Sequence, residues 1–326
     1  MELYEALSNG RNGHAGAANG GHTAVTNGAS HPPLNGAAHP SKNGHADKSS
    51  VASTRAVVLA GGRGARLAPY TSVLPKPLMP IGERAILEVV VEQLESHGIT
   101  EITFCVGYLS HLIRTVFDNR SNGHVNIDYV HEKEALGTAG PLRLVEGLDD
   151  TFIVMNGDVL TTIDYAHLVR HHRESGNALT IATRERPIKI DYGVLYVENP
   201  ATPSRIVRFV EKPEVQSIVS MGIYVFEPRV VEYVPRDQQY DFPELVQTLL
   251  RNDEPVGAYP FEGVWFDIGR EDDYVRAVEE WENGGLPGAN GNGHANGNGH
   301  VNGNGHADGN GHADGVPGAH PGTDRP

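Results

Sequence analysis

The sequence VVLAGGRGARLAP at residues 57–69, followed by PKPLMP at residues 75–80, is the stretch that decides the fold of this chain. An apolar, β-branched run leads directly into glycines, which predicts a buried strand ending in a turn with few side chains. The main-chain N–H groups of such a turn can cradle phosphate oxygens. Arg66 and Lys76 add two positive charges nearby. The pattern is therefore typical of a site for nucleotide chemistry on a triphosphate.

Other readings of the glycines fit less well. A P-loop requires Gly-Lys-Ser or Gly-Lys-Thr at the start of a helix, and no lysine directly follows these glycines. A dinucleotide fingerprint requires a helix at once, whereas prolines at 69, 75, 77 and 80 predict an extended segment here. A functionless surface turn is the remaining alternative, and the arginine and the PKP motif at this spacing argue against it.

These motifs resemble the signature of the sugar-1-phosphate nucleotidyltransferases, or nucleotide-sugar pyrophosphorylases. Four later motifs follow in the order typical of that family: LGTAG at 136–140, NGD at 156–158, FVEKP at 209–213 and WFDIG at 265–269. The resemblance covers residues 55–282 and is strongest to the short mannose- and heptose-1-phosphate guanylyltransferases.

Composition divides the chain of 326 residues into three parts. Residues 1–54 and 283–326 are rich in Gly, Asn, Ala and His and hold almost nothing apolar, so we expect two disordered low-complexity tails. Residues 55–282 remain as one catalytic domain. Ten of the seventeen histidines lie in the tails, where they are either loose metal chelators or simply solvated, and we assign them no catalytic role.

Charge and cysteine content exclude several classes of protein. A formal net charge of −15 argues against a nucleic-acid partner. The single cysteine, Cys105, lies in an apolar run and is expected to fill the core, which suits a reducing compartment. No signal peptide or membrane-spanning run is apparent, so we expect a cytoplasmic enzyme with no membrane partner.

Strand and helix patterns alternate along residues 56–183 and predict a mostly parallel, Rossmann-like α/β sheet with helices on both faces. The following residues are richer in strands, which favours a mixed sugar-binding lobe. No hexapeptide repeat occurs, so we expect no C-terminal β-helix. Ligands of such sheets bind beyond the carboxyl ends of the strands, where the glycine loop and Asp158 should meet.

The resemblance implies roles for individual residues. Arg66 and Lys76 match the two catalytic cations, with Arg66 on the β- and γ-phosphates and Lys76 at the α-phosphorus. The reaction needs no nucleophilic side chain, because an oxygen of the sugar phosphate attacks directly. The residues implied to bind the nucleotide are Leu59, Ala60, Gly61, Gly62, Gly64, Leu136 and Gly137.

Asp158 and Asp267 are the candidate metal ligands. Carboxylate oxygens at two loop positions suit Mg²⁺, although a lone aspartate more often caps a helix or completes a turn. The resemblance favours the metal. The resemblance also implies that Gly193, Glu211 and Lys212 bind the sugar phosphate. The alternatives are that Gly193 lies in a strand bulge and that Glu211 and Lys212 form an exposed ion pair.

The LGTAG motif resembles that of the guanylyltransferase branch and so predicts GTP as the donor. Ser220 departs from the family, because an Asn commonly contacts the sugar at that position. The acceptor implied by the resemblance is mannose, a heptose, or an unusual sugar or cyclitol, each as its phosphate. A serine offers one hydroxyl in place of an amide, which counts against mannose and favours the other acceptors. Two other functions remain possible for the chain. It is either a thymidylyl- or uridylyltransferase acting on glucose 1-phosphate or a catalytically silent regulatory homologue. The resemblance also leaves room for a homo-oligomer.

Overall fold

The computed structural model describes residues 51–286, apart from 52, 119–123, 201, 203 and 270. The tails predicted to be disordered lie, except for a few residues at their inner ends, outside the described residues. Val51, Thr54 and Leu286 at those inner ends are buried. The core therefore extends slightly beyond the predicted limits of 55 and 282.

The first part of the described chain alternates strands with helices, as predicted. Its strands are β1 (Ala56–Ala60), β2 (Pro80–Ile81), β3 (Arg84–Ala85), β4 (Glu101–Val106), β5 (Asn126–His131), β6 (Phe152–Asn156) and β7 (Val159–Thr161). Its helices are α1 (Ile86–Ser96), α2 (Ser110–Asp118) and α3 (Tyr165–Ser175). Helix α3 begins after Asp164, whose carboxylate accepts a hydrogen bond from the His167 N–H, and it ends at Gly176 in the left-handed conformation.

The second part is richer in strands. These are β8 (Leu179–Lys189), β9 (Val194–Val197), β10 (Ile206–Val210), β11 (Glu214–Phe226), β12 (Val256–Pro260) and β13 (Trp265–Asp267). Helices α4 (Phe242–Arg251) and α5 (Glu271–Glu282) complete it. Strands β8 and β11 are long, and residues 184–189 of β8 pair with residues 214–219 of β11 as a mostly exposed or half-buried two-stranded extension.

The central sheet has seven strands in the order β12-β8-β11-β6-β1-β4-β5. Strand β1 is parallel to both β4 and β6, and β11 is the antiparallel member between β6 and β8. Three two-stranded sheets, β2/β3, β7/β13 and β9/β10, surround it. The mostly parallel α/β fold with a mixed second half is thus confirmed, and the described chain contains no β-helix.

Alternate residues of the central strands face two separate hydrophobic clusters. Val58 packs on the face covered by α1, α2, α3 and α5, whereas Val57 and Cys105 pack on the face covered by α4. The prediction that Cys105 fills the core is confirmed, since its side chain is fully buried. Helices therefore cover both faces of the sheet.

The prediction of an extended segment at residues 69–80 was wrong. The chain forms two short 3₁₀ turns there, Tyr70–Ser72 and Lys76–Leu78, and a third, Ala65–Leu67, precedes them. Proline is tolerated near the start of such turns because the N–H it lacks has no partner there. The Thr71 hydroxyl donates to the Gly64 carbonyl at 2.8 Å and holds the turns at 65–67 and 70–72 together.

None of the described helices is both long enough and apolar enough to span a bilayer.

The residues outside 51–286 should not be needed for folding or activity, whereas Leu286 at the inner end of the C-terminal tail should stabilise the fold. A chain cut to residues 51–286 should fold and keep its activity within about threefold, because the removed residues contain almost nothing that can join a core. Leu286→Ala should destabilise that shortened chain by about 2–4 kcal/mol, since Leu286 is only 3% exposed. An activity assay tests the first expectation, and chemical denaturation measures the free energy of unfolding for the second. A shortened chain that folds but has lost most of its activity would show that a tail reaches the active site.

Candidate active site

A cavity of about 790 Å³ opens at the carboxyl end of the parallel strands. Its wall is built from the residues that follow four of them: Gly61 after β1, Gly107 after β4, Glu132 after β5 and Asp158 after β6. The glycine loop and Asp158 face the same space, as the strand pattern predicted.

Most of the residues assigned from the sequence contribute to this wall. They are Leu59, Ala60, Gly61, Gly62, Gly64, Arg66, Lys76, Gly137 and Asp158. Leu136, Gly193, Glu211, Lys212 and Asp267 are not among the described residues that line the cavity. Asp267 is nevertheless connected to it through Lys76.

The glycine loop presents main-chain donors to the cavity. Gly64 adopts the left-handed conformation, with φ at 61°, and the Tyr108 N–H donates to the Gly61 carbonyl at 3.2 Å. Within the described part of the chain, no group accepts a hydrogen bond from the N–H groups of Gly62, Arg63 or Gly64. Such free donors at a turn with a left-handed residue form an anion-binding nest.

Lys76 is the central cation of the site. Its ammonium forms a close ion pair with Asp158 and lies 3.9 Å from Asp267 Oδ1. The Lys76 and Asp158 side chains are only 17% and 12% exposed, against 39% for Asp267. Burial lowers the pKa of Lys76, and the nearby Asp267 carboxylate opposes that shift. The exposed guanidinium of Arg66 also lines the cavity and pushes the pKa of Lys76 down.

Asp158 and Asp267 converge because two short strands pair. Asp267 ends β13, which runs antiparallel to β7, and Asp158 directly precedes β7. The Asp267 Oδ1 atom also accepts a hydrogen bond from the Gly269 N–H at 2.9 Å. Two carboxylates that share one ammonium can hold a cation at that place, and their oxygens are hard ligands of the kind that Mg²⁺ prefers. The described residues contain no cluster of three or more metal-ligating side chains, so other ligands would come from substrate and water.

Glu132 is a cavity residue that sequence reasoning missed. Its Oε2 atom accepts a hydrogen bond from the Leu136 N–H at 3.1 Å, and its Oε1 atom lies against Gly61. It thus joins the two segments predicted to bind the nucleotide. Burial raises the pKa of this carboxyl, while the hydrogen bond from Leu136 opposes the shift. An acidic residue directly after a predicted strand was the available signal.

The residues implied at the sugar phosphate lie on a separate part of the chain. Gly193 precedes β9, and a β-carbon there would lie 2.6 Å from the exposed Phe209 ring and 3.0 Å from a Glu211 carboxylate oxygen, so these side chains would have to move. Lys212, in the turn between β10 and β11, has φ at 43°. A lysine rarely adopts this left-handed conformation, and such strain concentrates at functional sites.

Ser220 is engaged within its own strand. Its hydroxyl donates to the Tyr224 hydroxyl at 3.1 Å and accepts from the Gly222 N–H at 3.3 Å. Burial raises the pKa of Tyr224, while the hydrogen bond from Ser220 opposes the shift. The Trp265 indole N–H donates to the Met221 carbonyl at 2.9 Å and so joins this segment to β13.

Comparison with known proteins agrees with this geometry. Residues 55–284 match the family described as Nucleotidyl transferase. A UTP–glucose-1-phosphate uridylyltransferase from Synechocystis sp. is 35% identical over 72% of this chain and 66% of its own length. A mannose-1-phosphate guanyltransferase from Emericella nidulans is also 35% identical, over 68% of this chain and 62% of its own. The matched region thus spans less than two thirds of the length of either relative.

A solved structure shows the same fold. HddC from Yersinia pseudotuberculosis superposes with a TM-score of 0.54 at 27% identity, covering 70% of this chain and 99% of its own. The same protein was also solved complexed with GMP-PN. The family match covers most of the chain, and the glycine loop with its adjacent cations agrees with it. This chain therefore belongs to the nucleotidyl transferase family.

Proposed function

We propose that this protein transfers a nucleoside monophosphate from an NTP to a sugar 1-phosphate, forming a nucleotide-sugar and releasing pyrophosphate. One observation carries the proposal. The Lys76 ammonium is placed between two carboxylates at the edge of a cavity that also presents a glycine nest and the Arg66 guanidinium. Cations, main-chain donors and a candidate metal site together provide what phosphoryl chemistry requires.

In the proposed reaction an oxygen of the sugar phosphate attacks the α-phosphorus of the NTP. A new P–O bond forms there, the bond to the oxygen that bridges the α- and β-phosphates breaks, and pyrophosphate leaves with that electron pair. Arg66 and the N–H groups of Gly62 and Gly64 would bind the β- and γ-phosphates. Lys76 would stabilise the charge that develops at the α-phosphorus.

Asp158 and Asp267 would hold Mg²⁺, which supplies charge neutralisation between the two substrates' phosphates. The support is the convergence of both carboxylates on one cation. Lys76 would have to leave the two carboxylates as the ion binds, and the phosphates would be its new partners.

GTP is the proposed donor, and Glu132 supports it. A carboxylate repels phosphates, so Glu132 should face the base, away from Arg66 and Lys76. Carboxylate oxygens only accept hydrogen bonds, and the N1–H and N2 amino group of guanine offer two adjacent donors. Uracil and thymine place a single N3–H between two carbonyl oxygens, which a carboxylate disfavours. The HddC complex with GMP-PN points the same way.

The acceptor is proposed as mannose, a heptose, or an unusual sugar or cyclitol, each as its 1-phosphate. Ser220 favours the heptose or the unusual acceptor over mannose, because its side chain is shorter than that of asparagine and its hydroxyl is already bonded to Tyr224. Gly193, Glu211 and Lys212 are proposed to bind the acceptor, for which the left-handed Lys212 gives structural support.

The reaction is tested by incubating the protein with each NTP, Mg²⁺ and a panel of sugar and cyclitol 1-phosphates while pyrophosphate is measured. We expect pyrophosphate and nucleotide-sugar in equal amounts, with both substrates required. A uridylyltransferase is the second candidate, because the Synechocystis relative is as similar as the guanyltransferase. A chain that binds NTP but releases no pyrophosphate with any acceptor would be a silent homologue.

The base assignment predicts the behaviour of Glu132→Gln. We expect the wild type to prefer GTP over UTP by at least about tenfold in kcat/KM, or about 1.4 kcal/mol. Glutamine offers a hydrogen-bond donor beside its acceptor, so Glu132→Gln should lose most of that preference for GTP. ITP lacks the N2 amino group and should therefore be a poorer substrate than GTP for the wild type. Glu134→Gln, at an exposed residue of the same cavity, is the matched control. An unchanged preference in Glu132→Gln would remove Glu132 from base recognition.

The metal assignment predicts that Asp158→Asn and Asp267→Asn each lower kcat on the order of 10²-fold or more, by weakening Mg²⁺ binding. If no cation lay near the two carboxylates, they would repel each other, and replacing either one would raise the free energy of unfolding. Lys76 pairs with Asp158, however, so Asp158→Asn should lower the free energy of unfolding more than Asp267→Asn does. Near-normal turnover at saturating Mg²⁺ in either variant, with exposed Asp128→Asn as the control, would contradict its metal role.

The two lysines should differ in kinetics. Lys212→Ala should mainly raise KM for the sugar phosphate, because its contact exists before and during transfer. Lys76→Ala should mainly lower kcat, because charge at the α-phosphorus develops as pyrophosphate leaves. Arg66→Ala should behave like Lys76→Ala and also weaken NTP binding. Steady-state kinetics with each substrate varied separates these outcomes, and the reverse pattern for the lysines would overturn both roles.

A further inference from the structure

The part of the cavity wall formed by residues 136–140 is anchored by a segment a hundred residues away. The Tyr240 N–H donates to the Leu136 carbonyl at 2.9 Å, and the Tyr240 carbonyl accepts from the N–H groups of Ala139 and Gly140, both at 3.0 Å. The loop at 136–140 is therefore held by the chain that leads into α4, and its position depends on that helix.

Asp241 makes the polar side-chain contacts of this anchor. Its Oδ1 atom accepts from the Thr138 N–H at 2.7 Å and from the Thr138 hydroxyl at 3.0 Å. The same hydroxyl accepts from the Phe242 N–H at 2.9 Å, so the contacts form a closed ring. Hydrogen bonds to a charged acceptor are stronger than those between neutral groups.

Gly137 shows how tightly the two segments fit. Its φ is 81°, and a β-carbon there would lie 2.7 Å from both Asp241 Oδ1 and the Tyr240 carbonyl oxygen. No side chain can be accommodated at that distance without movement of the anchor. The glycine of the LGTAG motif is thus required by contact with Asp241 as well as by its backbone conformation.

The anchor is itself fixed by the core. Phe242 is buried, and its ring centroid lies 4.3 Å from that of Tyr224. The Asp241 N–H donates to the Glu244 carboxylate at 3.2 Å as part of a capping box at the start of α4, so Asp241 is fixed to the first turn of that helix. Among the described residues, Thr138 lines the cavity and Asp241 does not.

We propose that Asp241 is a positioning residue for the nucleotide: it holds residues 136–140 in the geometry that binds the base without touching the substrate. The proposal rests on the proposed function, because it takes these residues as part of the nucleotide site. Its effect should therefore appear in NTP binding and leave the acceptor and the chemical step almost unchanged.

The test compares Asp241→Ala, Asp241→Asn and Thr138→Val with the wild type. Asp241→Ala should raise Kd for GTP, measured by calorimetry, and KM for GTP on the order of tenfold, with kcat and KM for the sugar phosphate within about threefold. Asp241→Asn keeps an acceptor oxygen and should recover most of the GTP affinity. Amide hydrogen exchange at residues 136–140 should be faster in Asp241→Ala without any ligand.

Glu244→Ala is the matched control, because it removes a bond at the start of the same helix and leaves Thr138 untouched. An equal loss of GTP affinity in Glu244→Ala would overturn the proposal, as would unchanged affinity and exchange in Asp241→Ala. Thr138→Val provides the same readouts if Asp241→Ala fails to fold. A wild type that binds GTP but forms no nucleotide-sugar would refute the proposed function and leave the exchange and affinity tests of Asp241 intact.

Discussion

The position of β1, hydrogen-bonded in parallel to β4 on one side and β6 on the other, is the constraint on which the site depends. Because all three strands run in one direction, the segments that follow them must meet at one edge of the sheet. Two contacts close the gaps between them: the Gly157 N–H donates to the Leu59 carbonyl at 2.9 Å, and the Tyr108 N–H to the Gly61 carbonyl. The glycine loop is thereby held between two neighbours, with its own N–H groups left for a ligand.

One lysine offsets the negative charge of two carboxylates in the site. Lys76 is mostly buried and pairs with Asp158, with Asp267 next to it, so the lysine neutralises the carboxylates proposed to bind metal. An isolated ammonium or carboxylate at this depth would be costly, and pairing reduces that cost. In the proposed reaction the lysine would bind the phosphates, and the carboxylates would bind Mg²⁺. A site of this kind is stable without substrate and can rearrange when substrate arrives.

Local sequence patterns were sufficient for the parallel half of the fold and for the residues that directly follow its strands. Ala56–Ala60 and Asp158 could be placed because a strand and the turn or charged residue after it follow one another within a few positions, and Lys76 because it lies in the PKP motif. The 3₁₀ turns at 65–78 could not, because prolines permit both extended and turn conformations and the Thr71 contact with Gly64 decides between them. Glu132 and Asp241 were missed for a different reason: their roles depend on contacts with Gly61 and Thr138, which are distant in sequence.

In the proposed reaction the nucleotidyl group passes directly from the NTP to the sugar phosphate and is never bound covalently to the protein. The stereochemistry at the α-phosphorus tests this claim most directly. GTP made chiral at that phosphorus with sulfur in place of one oxygen is allowed to react with the preferred sugar phosphate, and the configuration of the nucleotide-sugar is determined. A single in-line displacement predicts inversion. Retention would require two displacements through a covalent intermediate on a side chain, and it would contradict the roles assigned to Arg66 and Lys76.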